Sequence, residues 1–177
     1  EFITAVTAAI AQEIGVDSYL NVQEQLGEMI SQMQTIEGLI VASEAQAQPD
    51  AHGNWLPSFK YIETARNLGS RYYPRAVEIL KTIAAGGLIQ IPSGRFDLDE
   101  TVGPLMAKYL GGVTLQAPEK IRLFQLAWDL TGSALGARHD LYERYYAGDP
   151  VRNRAGQYIQ YDKESLNKKV EPWLHMK

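Results

Sequence analysis

The sequence predicts an all-α protein, a bundle of about four long helices, and three observations carry that expectation. Apolar residues return every three or four positions along most of the chain, the period of a helix with one buried face. The one short strand-like run, residues 88–91, has no partner strand in the sequence. A length of 177 residues with 45% hydrophobic side chains suits a single packed domain.

Residues 2–48 read as helix, interrupted at Gly15-Val16-Asp17-Ser18. Ile3, Val6, Ile10 and Ile14 keep the spacing of one face, which resumes at Leu26, Met29, Ile30, Met33, Ile36, Ile40 and Val41. The first helix opens at residue 2 without cap or leader. That start predicts the C-terminal piece of something longer, or a cloning remnant at Glu1-Phe2. Residues 49–57 (PDAHGNWLP) are a loop on composition. Residues 58–85 are helical, and Pro74 in their middle predicts a kink or break near Tyr72-Tyr73. In residues 84–94, two glycines and Pro92 end that helix, and residues 88–91 are expected as a buried extended loop. A short helix follows at residues 101–110. The longest regular element is expected from Pro118, a favourable first-turn residue, to Tyr146, stopping at Gly148-Asp149-Pro150. Residues 1–150 are thus the bundle. Residues 151–177 are expected as a tail, ending in a short helix at 164–174, that packs on a neighbouring subunit or a missing domain.

Composition excludes several functions. With 17 basic against 21 acidic residues the net charge is −4, which argues against a nucleic-acid partner. The chain has no cysteine, so disulfides, thiolate zinc, iron–sulfur ligation and a cysteine nucleophile are excluded within it. No apolar run approaches about 18 residues and no basic signal region opens the chain, so a soluble, cytoplasmic protein without membrane contact is expected. Charge is unevenly spread. Residues 1–50 hold eight acids and no Lys or Arg, and the rest hold thirteen acids and all seventeen bases. Either acidic helices pack beside basic ones, or the acidic stretch faces something outside the chain.

In the helix expected at 118–146, Ile121, Phe124, Trp128, Thr131, Leu135, Arg138, Tyr142 and Tyr145 fall on one seam. An unpaired arginine on a buried seam is costly, so Arg138 should meet an anion. An Asp or Glu from another helix and a phosphate or carboxylate ligand are both open. Gly132-Ser133-Ala134-Leu135-Gly136-Ala137 is a stretch of mostly small residues beside it, where interior glycines cost about 1 kcal/mol each. Close helix packing explains it, and so does a flat cofactor or second subunit approaching the backbone, with Thr131 and Ser133 as donors. His52, His139 and His175 are far apart, and no HExxH, Glu-x-x-His, GxGxxG, Walker or GxSxG pattern occurs. The residues alone give a bundle with one unusual seam and no catalytic constellation.

That seam also carries a family likeness. Residues 128–150, WDLTGSALGARHDLYERYYAGDP, resemble the C-terminal signature of the 4-hydroxyphenylacetate 3-hydroxylase oxygenase family, broadly D-x-x-G-S-x-x-G-x-R followed by L-Y-E-R-x-Y-x-G. Residues 65–75 (ARNLGSRYYPR) resemble its R-N-x-x-x-x-x-Y-P-R segment, and residues 85–93 (AGGLIQIPS) its G-G-L-x-x-x-P loop. With residues 22–28 (VQEQLGE) the likeness covers most of the chain.

The resemblance implies a two-component flavin monooxygenase. A separate reductase supplies reduced FAD, and the oxygenase uses dioxygen to hydroxylate a phenol, such as 4-hydroxyphenylacetate, ortho to its hydroxyl. It also implies an acyl-CoA dehydrogenase-type architecture, of which this chain is the C-terminal four-helix-bundle-like domain, and a homo-oligomer, commonly a tetramer, with FAD bound across subunits. About 300 residues, roughly two domains, would precede it. The family's phenol-binding and acid–base residues lie in those parts, so no catalytic residue is expected here. Cofactor contact is expected at Gly132, Ser133, Ala134 and Leu135, with Arg138 near the pyrophosphate or a carboxylate partner. A 4-hydroxybutyryl-CoA dehydratase-like protein shares the fold but needs cysteine-bound iron–sulfur. A helical assembly or binding module without redox chemistry is the reading from another class.

Overall fold

The molecule is arranged around one long helix. In the computed structural model, which describes residues 1–92 and 101–174, helix α3 (Phe59–Ala84) packs most extensively against five others. These are α1 (Phe2–Glu13), α2 (Leu20–Ala45), α6 (Ala117–Thr131), α7 (Ala134–Tyr145) and α8 (Pro150–Gln160). Pro74 does not break α3. Ala76, Val77, Ile79, Leu80, Ile83 and Ala84 are all buried just beyond it, and this packing outweighs one lost backbone bond.

The core lies where α1, α2, α3 and α6 meet, with Ile10, Ala11, Met29, Ile79, Leu80, Phe124 and Ala127 almost fully buried. Each large side chain among them contributes about 1.5–3 kcal/mol relative to exposure. The break expected after α1 is real. Gly15, at φ 72°, ends the helix, with its amide bonded to the Gln12 carbonyl and that of Val16 to Ala11, the double closure a left-handed residue permits. The acidic first segment sits beside a basic partner: Arg75 of α3 forks onto Glu28 of α2 at 2.8–3.1 Å. That contact holds the Glu28 carboxyl below its ordinary range.

Glu13, nearly buried at the end of α1, fixes a distant loop. Its carboxylate accepts hydrogen bonds from the amides of Thr114 and Leu115, at 3.0 and 2.9 Å, and from the Thr114 hydroxyl. The Thr114 hydroxyl first, then the two amides, lower its pKa. Gly112 lacks the side chain that would collide with this carboxylate.

Several expectations need correction. The loop at 49–57 carries part of a small antiparallel ladder, β1 (Gln48–Pro49) with β2 (Trp55–Leu56), closed by Asp50 accepting from the His52 and Asn54 amides. Residues 88–91 are not a buried extended loop: α4 (Gly87–Gln90) is one helical turn that buries Leu88 and leaves Ile89 85% exposed. The short helix expected at 101–110 is α5 (Gly103–Tyr109). The element expected as one helix over 118–146 is two, α6 and α7, broken at Gly132-Ser133. The tail begins as helix α8, started by Asp149 accepting from the Val151 amide with Pro150 at the first turn. It continues as α9 (Lys163–Leu174), which has no extensive packing on another described helix. The expectations for Ser93, Gly94 and His175 fall outside the described residues.

Candidate cofactor wall at the α6–α7 corner

The corner is built by a serine between two glycines. Ser133 is extended (φ −71°, ψ 165°) and caps α7: its Oγ accepts from the Gly136 amide at 3.0 Å and donates to the Asp129 carbonyl at 2.8 Å. The Ser133 hydroxyl is therefore used within the chain, and what the cap leaves free are the amides of Ala134 and Leu135, the first two of α7. Gly136 is buried where α7 turns back against α6. A Cβ there would lie 2.6–2.8 Å from the backbone of Asp129 and Leu130, so this glycine closes the corner itself.

The break divides the seam. Ile121, Phe124 and Thr131 are buried as expected, Trp128 is already 43% exposed ahead of the break, Leu135 is 74% exposed, and Arg138, Tyr142 and Tyr145 are exposed too. The expectation of Arg138 on a buried seam is thus corrected, because α7 starts a new helical phase at Ser133. No carboxylate among the described residues pairs with Arg138, although its neighbour Asp140 pairs with Arg144 at 3.0 Å. The guanidinium stands one turn beyond two open amides, a donor set suited to a phosphate.

A cleft of about 480 Å³ lies between the α4 turn and α6, lined by Leu88, Ile89, Ile91, Pro92, Gln125, Trp128 and Asp129, and Gly132, Ser133, Ala134, Leu135 and Arg138 are not part of its lining. Gln125 Nε2 donates to the Pro92 carbonyl at 3.1 Å and holds the two walls together. Ile89 and Trp128 are the apolar members missed by reading residues 132–138 alone. Their signal was the Gly86-Gly87-Leu88 loop, whose Gly87 admits the Phe124 ring. The corner exposes Leu135 and Arg138, and the cleft presents Ile89 and Trp128, side chains of the kinds that could meet an apolar ring and a phosphate. Among the described residues no group of His, Cys, Asp or Glu could hold a metal, and no helix is long and apolar enough to cross a membrane.

Comparison with known proteins agrees with this architecture. The chain is 40% identical over 174 residues to the oxygenase component of 4-hydroxyphenylacetate 3-monooxygenase of Thermus thermophilus, covering 98% of this chain and 36% of that one. It superposes with a TM-score of 0.93, at 40% identity over 97% of its length and 36% of the other's, on the crystal structure of such an oxygenase component with FAD and 4-hydroxyphenylacetate. A 4-hydroxybutyryl-CoA dehydratase from N. maritimus, at 22% identity over 97% of this chain and 35% of that one, shares the fold with a TM-score of 0.83. The chain spans about a third of the length of the curated relatives it matches. The family model described as HpaB, 4-hydroxyphenylacetate 3-hydroxylase C terminal, matches residues 1–175, and the chain belongs to that family.

Proposed function

We propose that this chain is the C-terminal domain of a reduced-FAD-dependent monooxygenase that hydroxylates a phenol, such as 4-hydroxyphenylacetate, ortho to its hydroxyl. The observation that carries this reading is the superposition, over 97% of the chain, on an oxygenase component holding FAD and that phenol. Reduced FAD supplies the two electrons with which one atom of dioxygen enters the ring and the other leaves as water. The chain's own share is binding and exclusion. Arg138 and the Ala134 and Leu135 amides would hold the phosphates. Leu135, Trp128 and Ile89 would cover an apolar face and keep water from it. Gly132 and Ser133 would set the corner that aims them. None of these residues handles the proton or touches the phenol, and those tasks fall to the rest of the protein.

The remaining features belong to the same proposal. A separate flavin reductase supplies the cofactor, the protein works in the cytoplasm, and it is a homo-oligomer, a tetramer, in which this bundle forms part of the subunit contacts. The exposed Tyr142, Tyr145, Tyr146, Tyr158 and Ile159 on α7 and α8 support an assembled state. The test is direct. The full-length protein is loaded with reduced FAD without oxygen, then mixed with oxygen and 4-hydroxyphenylacetate. A catechol product is expected. Peroxide formation with no hydroxylated product, across a panel of para-substituted phenols, would refute the reading.

A further inference from the structure

One cavity of the bundle takes no part in the corner. It lies where the ends of α1, α3 and α5 meet α6, holds about 300 Å³, and has none of residues 132–138 in its lining. Most of that lining is apolar. Ala84, Ile121 and Phe124 are buried core side chains, and the half-buried Ile14 and Leu110 stand beside them. Protein interiors pack closely, so an unfilled space of this size leaves such side chains without contacts on one side. Its volume is that of a small-molecule pocket.

Three polar side chains share the lining: Lys120, Tyr109 and Gln90. Lys120 decides what the pocket can hold. It is half-buried, and its Nζ donates to the Gly111 carbonyl at 3.0 Å. An ammonium carries three donors, so two are left without an acceptor among the described residues. Glu13 lies within electrostatic reach, but its carboxylate already accepts from Thr114 and Leu115. Glu119 accepts from the Gln116 amide instead. The Tyr109 hydroxyl and the Gln90 amide have no hydrogen-bond partner among the described residues. Lys108, 5.2 Å from the centre of the Tyr109 ring, adds positive charge nearby.

The lysine is also held in place. Glu13 fixes Thr114 and Leu115, and the same loop presents the Gly111 carbonyl that anchors Lys120. Its Nζ stands 5.9 Å from the centre of the Phe124 ring. A cation pinned at the border of an apolar pocket suits a ligand that is apolar at one end and anionic at the other. One unpaired cation matches one negative charge, and the Phe124 and Tyr109 rings favour a flat partner.

We propose that this cavity binds a one-ring aromatic monocarboxylate, with the ring against Ile121 and Phe124 and the carboxylate accepting from Lys120 and the Tyr109 hydroxyl. The site shares no residue with the α6–α7 corner and draws on no cofactor, so it stands or falls apart from the proposed activity.

The probe is 4-fluorophenylacetate, followed by fluorine NMR on the full-length protein without FAD. Saturable binding is expected. Lys120→Met should weaken it about tenfold or more, as loss of a charge-assisted contact does, and Lys120→Arg should restore part of the affinity. Leu110→Trp narrows the pocket without touching the charge and should weaken binding as well, which keeps the test open if Lys120→Met folds poorly. The phenol site of the full-length protein can take the same probe, so each variant should lose one bound resonance and keep any other. 4-Fluorophenethylamine, the same ring with the opposite charge, should not produce the resonance that the variants lose. The proposal is overturned if Lys120→Met and Leu110→Trp, both folded, bind the probe as the parent does. It is overturned equally if the amine or hexanoate displaces the probe as well as phenylacetate does, or if millimolar probe shows no binding.

Discussion

The α-carbon of Gly136 rests on the carbonyl oxygen of Asp129, so closely that an added Cβ would stand 2.6 Å from it. The other atoms it would meet belong to the Leu130 backbone, which has no rotamer with which to give way. Gly132 differs, because the nearest atoms a Cβ there would meet, at 2.6–2.9 Å, belong to the side-chain ring of Trp128, which is 43% exposed, rather than to backbone. Gly136→Ala should therefore cost about 1–3 kcal/mol, as overpacking does. For a chain of this size that lowers Tm by about 2–4 °C per kcal/mol. Gly132→Ala should cost clearly less. Thermal melts of the two variants check the difference, and equal losses would remove the corner argument.

Gln157 predicts a local rather than a global effect. Its amide is the partner of Asn67, which is nearly buried in α3. Gln157→Ala leaves that side chain unsatisfied, at about 1–3 kcal/mol. Hydrogen exchange should accelerate in α8 and α9 while the amides of α1 and α2 keep their protection.

Glu13 gives the acid limb of stability. Hydrogen bonds to its charged form lower its pKa in the folded chain. Its contribution is complete above the ordinary glutamate value, roughly pH 4.3, and is lost as pH falls through the lowered folded value. Glu13→Gln should lower Tm at neutral pH and flatten the fall of Tm below about pH 4.3. Melts between neutral and acid pH test both parts, and an unchanged acid limb would assign the pH dependence to other carboxylates.

Arg138 tests the proposed cofactor wall. Arg138→Lys keeps the charge but loses the fork, which typically costs about 1.5–3 kcal/mol, or ten- to over a hundredfold in affinity. Reduced-FAD binding by the full-length protein should weaken by that factor while phenol binding stays nearly intact. If Arg138 instead pairs with a carboxylate elsewhere in the assembly, Tm or oligomer content should drop and the Kd for FAD of size-selected oligomer should not change.

Much of the bundle is readable from the residues because burial writes a period. Val6, Ile10, Met29, Ile121 and Phe124 were expected inside and are inside. Ile30, Ile40 and Val41 keep the same spacing in α2 but are 43–64% exposed, because no described element covers them. Other failures share one cause: local chemistry competing with that period. Spacing carried straight through residue 132, yet Ser133 three residues before Gly136 offers a side-chain cap that outcompetes helix continuation, and every seam position after it turns outward. Asp149-Pro150 was read as a stop, although an acidic cap followed by proline is equally a start. At Pro74 the error ran the other way, since a local breaker lost to packing. The cleft beside the α6–α7 corner was not legible, because tertiary packing alone brings Ile89 and Trp128 into one lining and no sequence spacing joins them.

The segregation of charge has a practical consequence for proteolysis. The first Lys or Arg is Lys60, so trypsin has no site in α1, α2 or the small ladder, and these elements leave any digest of this chain in one piece. The C-terminal helices are the opposite case, with Arg152, Arg154, Lys163, Lys168 and Lys169 spread along α8 and α9. Brief trypsin treatment should trim these helices wherever they are bare and spare them wherever they are covered. The rate at which the C-terminus shortens thus reports on how much of α8 and α9 is shielded in solution.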